Sequence, residues 1–168
     1  YNLETIIKSI PLVKNKFPLV CFMFTGDFRG LNLRSKQFIR DNDLLENIIF
    51  TGKLDHEKEM KYYYKDADVT LSVPSSDSSP FSVYEAMATK TPVIVSDLPW
   101  LKDKFIPEIH LLTVPVKDES SLANAIIKLM SKEVELDLES ASLIVINNIN
   151  MIIENKKLEN LFLGLGKQ

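Results

Sequence analysis

The sequence is poor in several features that mark particular classes of protein. Cys21 is the single cysteine among 168 residues, which excludes an intrachain disulfide and a cysteine-based metal site. No apolar run approaches the roughly 18 residues that are needed to cross a bilayer. Lys and Arg number 20 against 23 Asp and Glu, so the chain lacks the cationic excess of a duplex-DNA-binding protein. We expect no binding to nucleic acid.

The glycines are few and scattered. Gly26 and Gly30 stand apart and form no Gly-x-Gly-x-x-Gly fingerprint, which disfavours a dinucleotide-dependent oxidoreductase. No cluster of metal-ligating residues is visible either, so no metal or other cofactor is expected.

The overall composition, with 45% hydrophobic and 26% charged residues, is typical of a folded globular domain. The sequence opens at Tyr1 directly into a helical pattern, and we expect it to be a piece of a longer protein.

Short apolar runs alternate with helical patterns along the chain. Apolar residues three and four apart predict helices over 3–16, 33–41, 56–66, 81–89 and 120–131. The apolar runs predict strands over 20–24, 48–50, 69–73, 92–95 and 111–114. This alternation indicates βαβ units and a parallel sheet covered on both faces. Residues 1–168 are expected to form one α/β domain, with a helical C-terminal segment over 134–168.

Ligands of open parallel sheets bind beyond the carboxyl ends of the strands, where small and polar residues gather in this sequence. The turn 75–80 stands out, because Ser79 is a suitable N-cap and Pro80 suits the first helical position. The free N–H groups of that helix start would form an anion site for phosphate. Asp77 and Glu85 could flank a bound molecule and accept hydrogen bonds from hydroxyls. The alternative for Glu85 is a solvated helix residue.

The segment 62–97 resembles a glycosyltransferase signature: Tyr-x-x-Ala-Asp-Val at a helix end, a strand ending Pro-Ser, an acidic pair, Glu-Ala-Met-Ala, then Pro-Val-Ile and Ser-Asp. Phe-Thr-Gly-Lys-Leu at 50–54 and the stretch 111–126 extend the similarity to roughly residues 1–130. The chain resembles the donor-binding domain of retaining GT-B enzymes, glycosyltransferase family 4 or group 1. The resemblance implies a doubly wound, Rossmann-like sheet, the C-terminal half of a GT-B fold. It also implies that the family's first strand and acceptor-binding domain precede this chain.

The resemblance implies a role for each matching residue. Asp77 stands where a catalytic acid contacts the transferred sugar, and Glu85 stands where an acid binds the ribose hydroxyls. Backbone amides at 79–82 approach the phosphates, and residues 51–54 lie near the base. The implied donor-binding set is Gly52, Lys53, Leu54, Ser78, Ser79, Pro80, Phe81, Ser82 and Glu85.

The implied activity is transfer of a sugar from a nucleotide-sugar to a sugar or lipid-linked acceptor, with retention of configuration, as in polysaccharide biosynthesis. We expect a cytoplasmic hexosyltransferase-like protein whose isolated fragment is inactive. Peripheral membrane association is expected of the full-length protein only. A non-catalytic binding or scaffold module is the alternative, because serines and a proline replace the loop glycines at 78–80 and Lys90 replaces a glycine. His56 is expected at the surface of a helix start, and His110 in a structural or exposed position.

Overall fold

The computed structural model describes residues 2–56, 58–102 and 104–148. They form five strands and six α-helices in the predicted order. The strands are β1 (Phe22–Phe24), β2 (Ile48–Phe50), β3 (Thr70–Ser72), β4 (Val93–Ser96) and β5 (Leu112–Val114). The helices are α1 (Leu3–Lys16), α2 (Leu33–Asp41), α3 (Met60–Asp66), α4 (Phe81–Ala88), α5 (Glu119–Met130) and α6 (Leu138–Asn148). The predicted α/β class and all five strand positions are confirmed.

Two helical predictions need correction or qualification. Helix α3 begins at Met60 rather than at His56. A hydrogen-bonded turn precedes it: the Asp55 side chain accepts from the Lys58 N–H, and the Asp55 N–H donates to the Glu59 carboxylate. These bonds resemble those of a helix N-cap, but regular helix follows only from Met60. In the helical segment predicted over 134–168, the structure describes α6, and the residues after 148 lie outside the described ranges.

All described strand pairings are parallel. β1 pairs with β2, and β3, β4 and β5 pair in that order, so the described strands form two separate ladders, of two and three strands, where one continuous sheet was predicted. The register places Thr70 beside Val93 and Ile94 beside Leu112. Every residue of β4 is buried, which identifies it as a strand covered on both faces.

Helices cover the sheet in two layers, each with its own apolar core. Ile94 packs on the side of α1 and α5, together with Ile7, Ile10 and Leu122. Its neighbours Val93 and Val95 point to the opposite side, towards α4 and α6. This alternation is the period of two expected of a strand. The layers place every strand-end loop at one edge, where α4 begins.

The carboxyl end of α4 is held firmly. Lys90 follows it in the left-handed region, with φ of 60°. The Lys90 ammonium forms an ion pair with Glu139 of α6, and the Ser142 hydroxyl donates to the Ala88 carbonyl at 3.4 Å. Because L-residues favour right-handed backbone, this position suits glycine. The backbone here therefore favours the glycine of the family pattern, and Lys90 adopts the same left-handed conformation.

Candidate donor site at the start of helix α4

The loop between β3 and α4 is anchored at both ends and polar between them. Pro74 and Pro80 are buried, whereas Ser78 and Ser79 are exposed. Asp77 is half-buried, and its Oδ1 accepts from the Ser79 N–H at 3.0 Å. This short-range bond folds the loop into a turn of the kind that aspartate favours. The Asp77 carboxylate therefore lies in a shaped loop, with its Oδ2 accepting no hydrogen bond from the described residues.

Helix α4 begins at Phe81, as the predicted span 81–89 has it, but its cap lies one residue later than expected. Pro80 occupies the N-cap position with no side-chain cap, so the expectation of a Ser79 cap and a first-turn Pro80 is wrong. The Pro80 carbonyl accepts from Val83 and Tyr84 at 3.0 and 3.2 Å. The first two amides, on Phe81 and Ser82, find no acceptor among the described residues. Proline thus removes no N–H from the helix itself, and the first-turn donors remain available to an anion.

Ser82 adds an unsatisfied hydroxyl to this helix start. Its Oγ is buried and has no hydrogen-bond partner in the described part of the chain. Buried hydroxyls are usually paired, because an unpaired polar group in a protein interior costs free energy. The start of α4 therefore has two backbone N–H groups without an acceptor and, within the described chain, one buried hydroxyl without a partner.

Glu85 lies on α4, about one turn into the helix, with its side chain 33% exposed. The Tyr64 hydroxyl donates to its Oε2 at 3.2 Å. The His56 Nε2 lies 3.0 Å from Oε1 and 3.2 Å from Oε2. Glu85 is therefore a fixed carboxylate with defined partners, and the alternative of a merely solvated helix residue does not describe it.

The contact between His56 and Glu85 was missed by the sequence analysis. His56 is 67% exposed, so its predicted surface position is confirmed, but it lies in the turn ahead of α3. Twenty-nine residues separate the two side chains, and no local pattern reports a contact over that distance. His110, by contrast, has the structural role that was expected. It is buried, its Nδ1 accepts from the Ile106 N–H at 3.0 Å, and its Nε2 lies 3.1 Å from Ser140 Oγ.

The loop after β2 approaches the same place through His56. Gly52, with φ of 72°, donates its N–H to the Gly26 carbonyl at 2.9 Å and so joins the loops after β1 and β2. Lys53 is exposed and Leu54 is half-buried in this loop. The structure thus brings the loop 52–56 to Glu85 through the His56 side chain.

The described ranges hold no group of three or more metal-ligating side chains. In the same ranges, no helix combines the length and apolar character needed to cross a membrane.

Comparison with known proteins gives a consistent family assignment. A family model described as Glycosyl transferases group 1 matches residues 1–132. The chain is 28% identical over 102 residues to the alpha-monoglucosyldiacylglycerol synthase of Streptococcus pneumoniae. That alignment covers 61% of this chain and 23% of the synthase.

The solved structures share the fold. Sucrose-phosphate synthase from Thermosynechococcus elongatus is similar with a TM-score of 0.71 and 24% identity, over 95% of this chain and 42% of that one. Anabaena HepE, solved in complex with UDP-glucose, is similar with a TM-score of 0.82 and 14% identity, over 97% of this chain and 45% of that one. This chain therefore spans less than half of either protein and has the Rossmann-like fold of a GT-B C-terminal half. Because the family model matches well over half of the chain, the chain belongs to the group 1 glycosyltransferases.

Proposed function

We propose that this chain is the donor-binding part of a retaining, family 4 glycosyltransferase that moves a sugar from a nucleotide-sugar to an acceptor. The observation that carries the proposal is a fixed carboxylate, Glu85, on the same helix whose first two amides are free. A nucleoside diphosphate presents vicinal ribose hydroxyls and a diphosphate, and these are the groups that such a pair of features binds. Anabaena HepE, which shares the fold, was solved with UDP-glucose.

The start of α4 would hold the leaving group. As the bond between the anomeric carbon and the diphosphate breaks, its electron pair passes to the diphosphate oxygen. The acceptor hydroxyl oxygen forms the new bond to the anomeric carbon, and its proton passes to the departing diphosphate. The Phe81 and Ser82 amides and the positive end of the helix dipole stabilise that growing charge. The residues around them, Ser78, Ser79 and Pro80, shape the approach to these donors. Asp77 orients the transferred sugar through its hydroxyls.

Glu85 would receive the ribose. Its carboxylate can accept from both ribose hydroxyls at once. Tyr64 is 7% exposed and stays in place, whereas the exposed His56 gives way as the ribose arrives. Gly52, Lys53 and Leu54 face the base from the neighbouring loop. In this arrangement the Tyr64 hydroxyl positions the carboxylate, and the His56 contact competes with the ribose.

The remaining parts of the activity belong to the longer protein. An N-terminal domain would bring a sugar or lipid-linked acceptor, and its absence leaves residues 1–168 without turnover. We place the protein in the cytoplasm, in polysaccharide biosynthesis, with hexosyl transfer that uses no metal. Peripheral membrane contact is proposed for the full-length protein alone.

Calorimetric titration of the full-length protein with UDP, GDP and their sugars tests the proposal. We expect one nucleotide to bind, and Glu85→Ala to weaken binding at least tenfold, because both ribose hydroxyls lose their acceptor. Glu46→Ala is the matched control, since Glu46 is an exposed acid just before β2, at the opposite edge of the sheet. No heat of binding with any of these nucleotides would reject donor binding. It would favour the scaffold alternative, in which Asp77 and Glu85 keep their present partners.

A further inference from the structure

The start of α1 is tied to the loop that carries Asp77. The Asn2 side-chain N–H donates to the Val73 carbonyl at 2.8 Å, and the Asn2 side-chain oxygen accepts from the Ser75 hydroxyl at 3.0 Å. Val73 and Ser75 lie on the stretch that leads from β3 to Asp77. Asn2 therefore places both ends of its amide on the segment through which the chain leaves β3.

These two bonds replace the contact that an asparagine normally makes at the start of a helix. Asn2 is the N-cap residue of α1, yet its side chain makes no cap hydrogen bond. Asn32, the N-cap residue of α2, does make that bond, because its side chain accepts from the Ser35 N–H at 2.8 Å. Since such a bond stabilises a helix, α1 forgoes a stabilising contact. The Asn2 side chain instead serves a loop that lies 71 and 73 residues along the chain.

The contact with Asn2 fixes the loop relative to the rest of the domain. Inside the loop, Asp77 Oδ1 accepts from the Ser79 N–H, but this bond closes a local turn and does not join the loop to another element. The Ser75 bond to Asn2 does join the loop to another element, the start of α1. Pro74 is buried but has no N–H to donate. The direction in which the loop leaves the sheet therefore depends on Asn2 together with the packing of Pro74.

We propose that Asn2 is a positioning residue for the Asp77 carboxylate, and that it holds the loop so that this acid meets the transferred sugar. This role rests on the proposed function, in which Asp77 contacts the sugar and Glu85 contacts the ribose. Glu85 lies on α4, and the far end of α4 is fastened to α6, so the position of Glu85 does not depend on Asn2. Asn2 therefore acts on recognition of the sugar and not on recognition of the nucleotide.

Calorimetry on the full-length protein with Asn2→Ser tests this role. Serine also suits the N-cap of α1, but its single hydroxyl cannot replace both amide contacts. We expect the affinity for UDP-glucose or GDP-mannose, whichever binds the wild type, to fall at least about fivefold. The affinity for the matching free UDP or GDP should change less than about twofold. Asn32→Ser, the same change at the cap of α2, is the matched control and should alter neither affinity.

Two further variants separate positioning from a general effect on folding. Ser75→Ala removes one of the two bonds at an exposed residue and should lower the nucleotide-sugar affinity about twofold. In a double-mutant cycle, Asn2→Ser added to Asp77→Ala should cost less than about twofold more, because Asn2 acts through Asp77. Additive losses in this cycle would overturn the proposal.

Hydrogen exchange measures the loop without any nucleotide. With millisecond sampling, a peptide over residues 75–79 should exchange at least about threefold faster in Asn2→Ser than in the wild type or Asn32→Ser, because the loop loses its tie to α1. Equal exchange would overturn the proposal, as would equal losses of affinity for the nucleotide-sugar and the free nucleotide. Faster exchange in a protein whose wild type binds no nucleotide would count against the proposed function alone.

Discussion

The two ladders of the sheet differ in how far the rest of the molecule encloses them. Every residue of β4 is buried, whereas β2 has an exposed residue between two half-buried ones. The β3-β4-β5 ladder carries α4, with Glu85 and the free helix start, and the β1-β2 ladder carries the loop with His56. The more enclosed half thus holds the carboxylate, and the less enclosed half supplies the side chain that contacts it. The comparison shows that the two sides of the site differ in burial.

Core substitutions should show the largest contrast between the two ladders. Ile94→Ala in β4 should lower the free energy of unfolding by about 2–5 kcal/mol, because it leaves a cavity at a fully buried position. Ile49→Ala in β2 should cost less than about 1 kcal/mol, because Ile49 is 47% exposed. Urea unfolding measures both. Similar losses would mean that the two ladders are equally enclosed.

Residues with left-handed backbone conformation offer a second, smaller comparison between the two halves, in which substitution should stabilise the protein. Lys90→Gly, at φ of 60°, should stabilise the β3-β4-β5 half by about 0.5–1 kcal/mol, in spite of the lost ion pair with Glu139. Asp43→Gly, at φ of 56° in the other half, should gain less, since aspartate tolerates this conformation better than lysine. Thermal unfolding of the two variants provides the comparison. A larger gain from Asp43→Gly would contradict this account of the backbone.

The contact that joins the halves can be tested through nucleotide affinity in the full-length protein. We expect His56→Ala to raise the affinity for the preferred nucleoside diphosphate about two- to fivefold, because an exposed pair is worth only up to about 1 kcal/mol. Tyr64→Phe should lower the affinity, since it removes the hydroxyl that holds Glu85. Circular dichroism would check that both variants fold. A weaker affinity in His56→Ala would mean that the imidazole helps the donor instead of competing with it.

The smallest expected difference is in the pH dependence of stability, between the side chains that cap α5 and α2. Asp118 caps α5, and hydrogen bonds from the Ser121 amide and hydroxyl hold the pKa of the Asp118 carboxyl below its usual range. The contribution of the Asp118 cap to the free energy of unfolding is therefore complete above the pKa of about 4 that the carboxyl has in the unfolded chain. It is lost as the pH falls through the lower pKa of the folded state. Asn32 caps α2 and does not titrate in this range.

Thermal unfolding between pH 7 and pH 2 of the wild type and the variants Asp118→Asn and Asn32→Ser measures this difference. We expect Asp118→Asn to flatten the acid limb slightly, and Asn32→Ser to shift the whole curve without changing its shape. An unchanged acid limb in Asp118→Asn would show that this cap does not contribute to acid sensitivity.

Much of the fold was predictable because burial leaves a periodic trace in the sequence. The run at 92–95 predicts a doubly covered strand, and β4 is that strand. The cap of α4 was displaced by one residue, because serine and proline each suit more than one position at a helix start. The contact between His56 and Glu85 depends on how two loops meet across the sheet edge, and periodicity contains no information about such a contact. The residue types of the site, such as the carboxylate of Glu85, were therefore predictable from the sequence. The hydrogen-bond partners of those residues were not.

Helix α4 is anchored at one end and open at the other. Its carboxyl end is fastened to α6 by Lys90 and Ser142, while its first two amides meet no acceptor in the described chain. The position of the open end is therefore set in part by the contacts of the closed one. Substitutions in α6 at Glu139 or Ser142 should reach the two free amides only through the eight residues of α4.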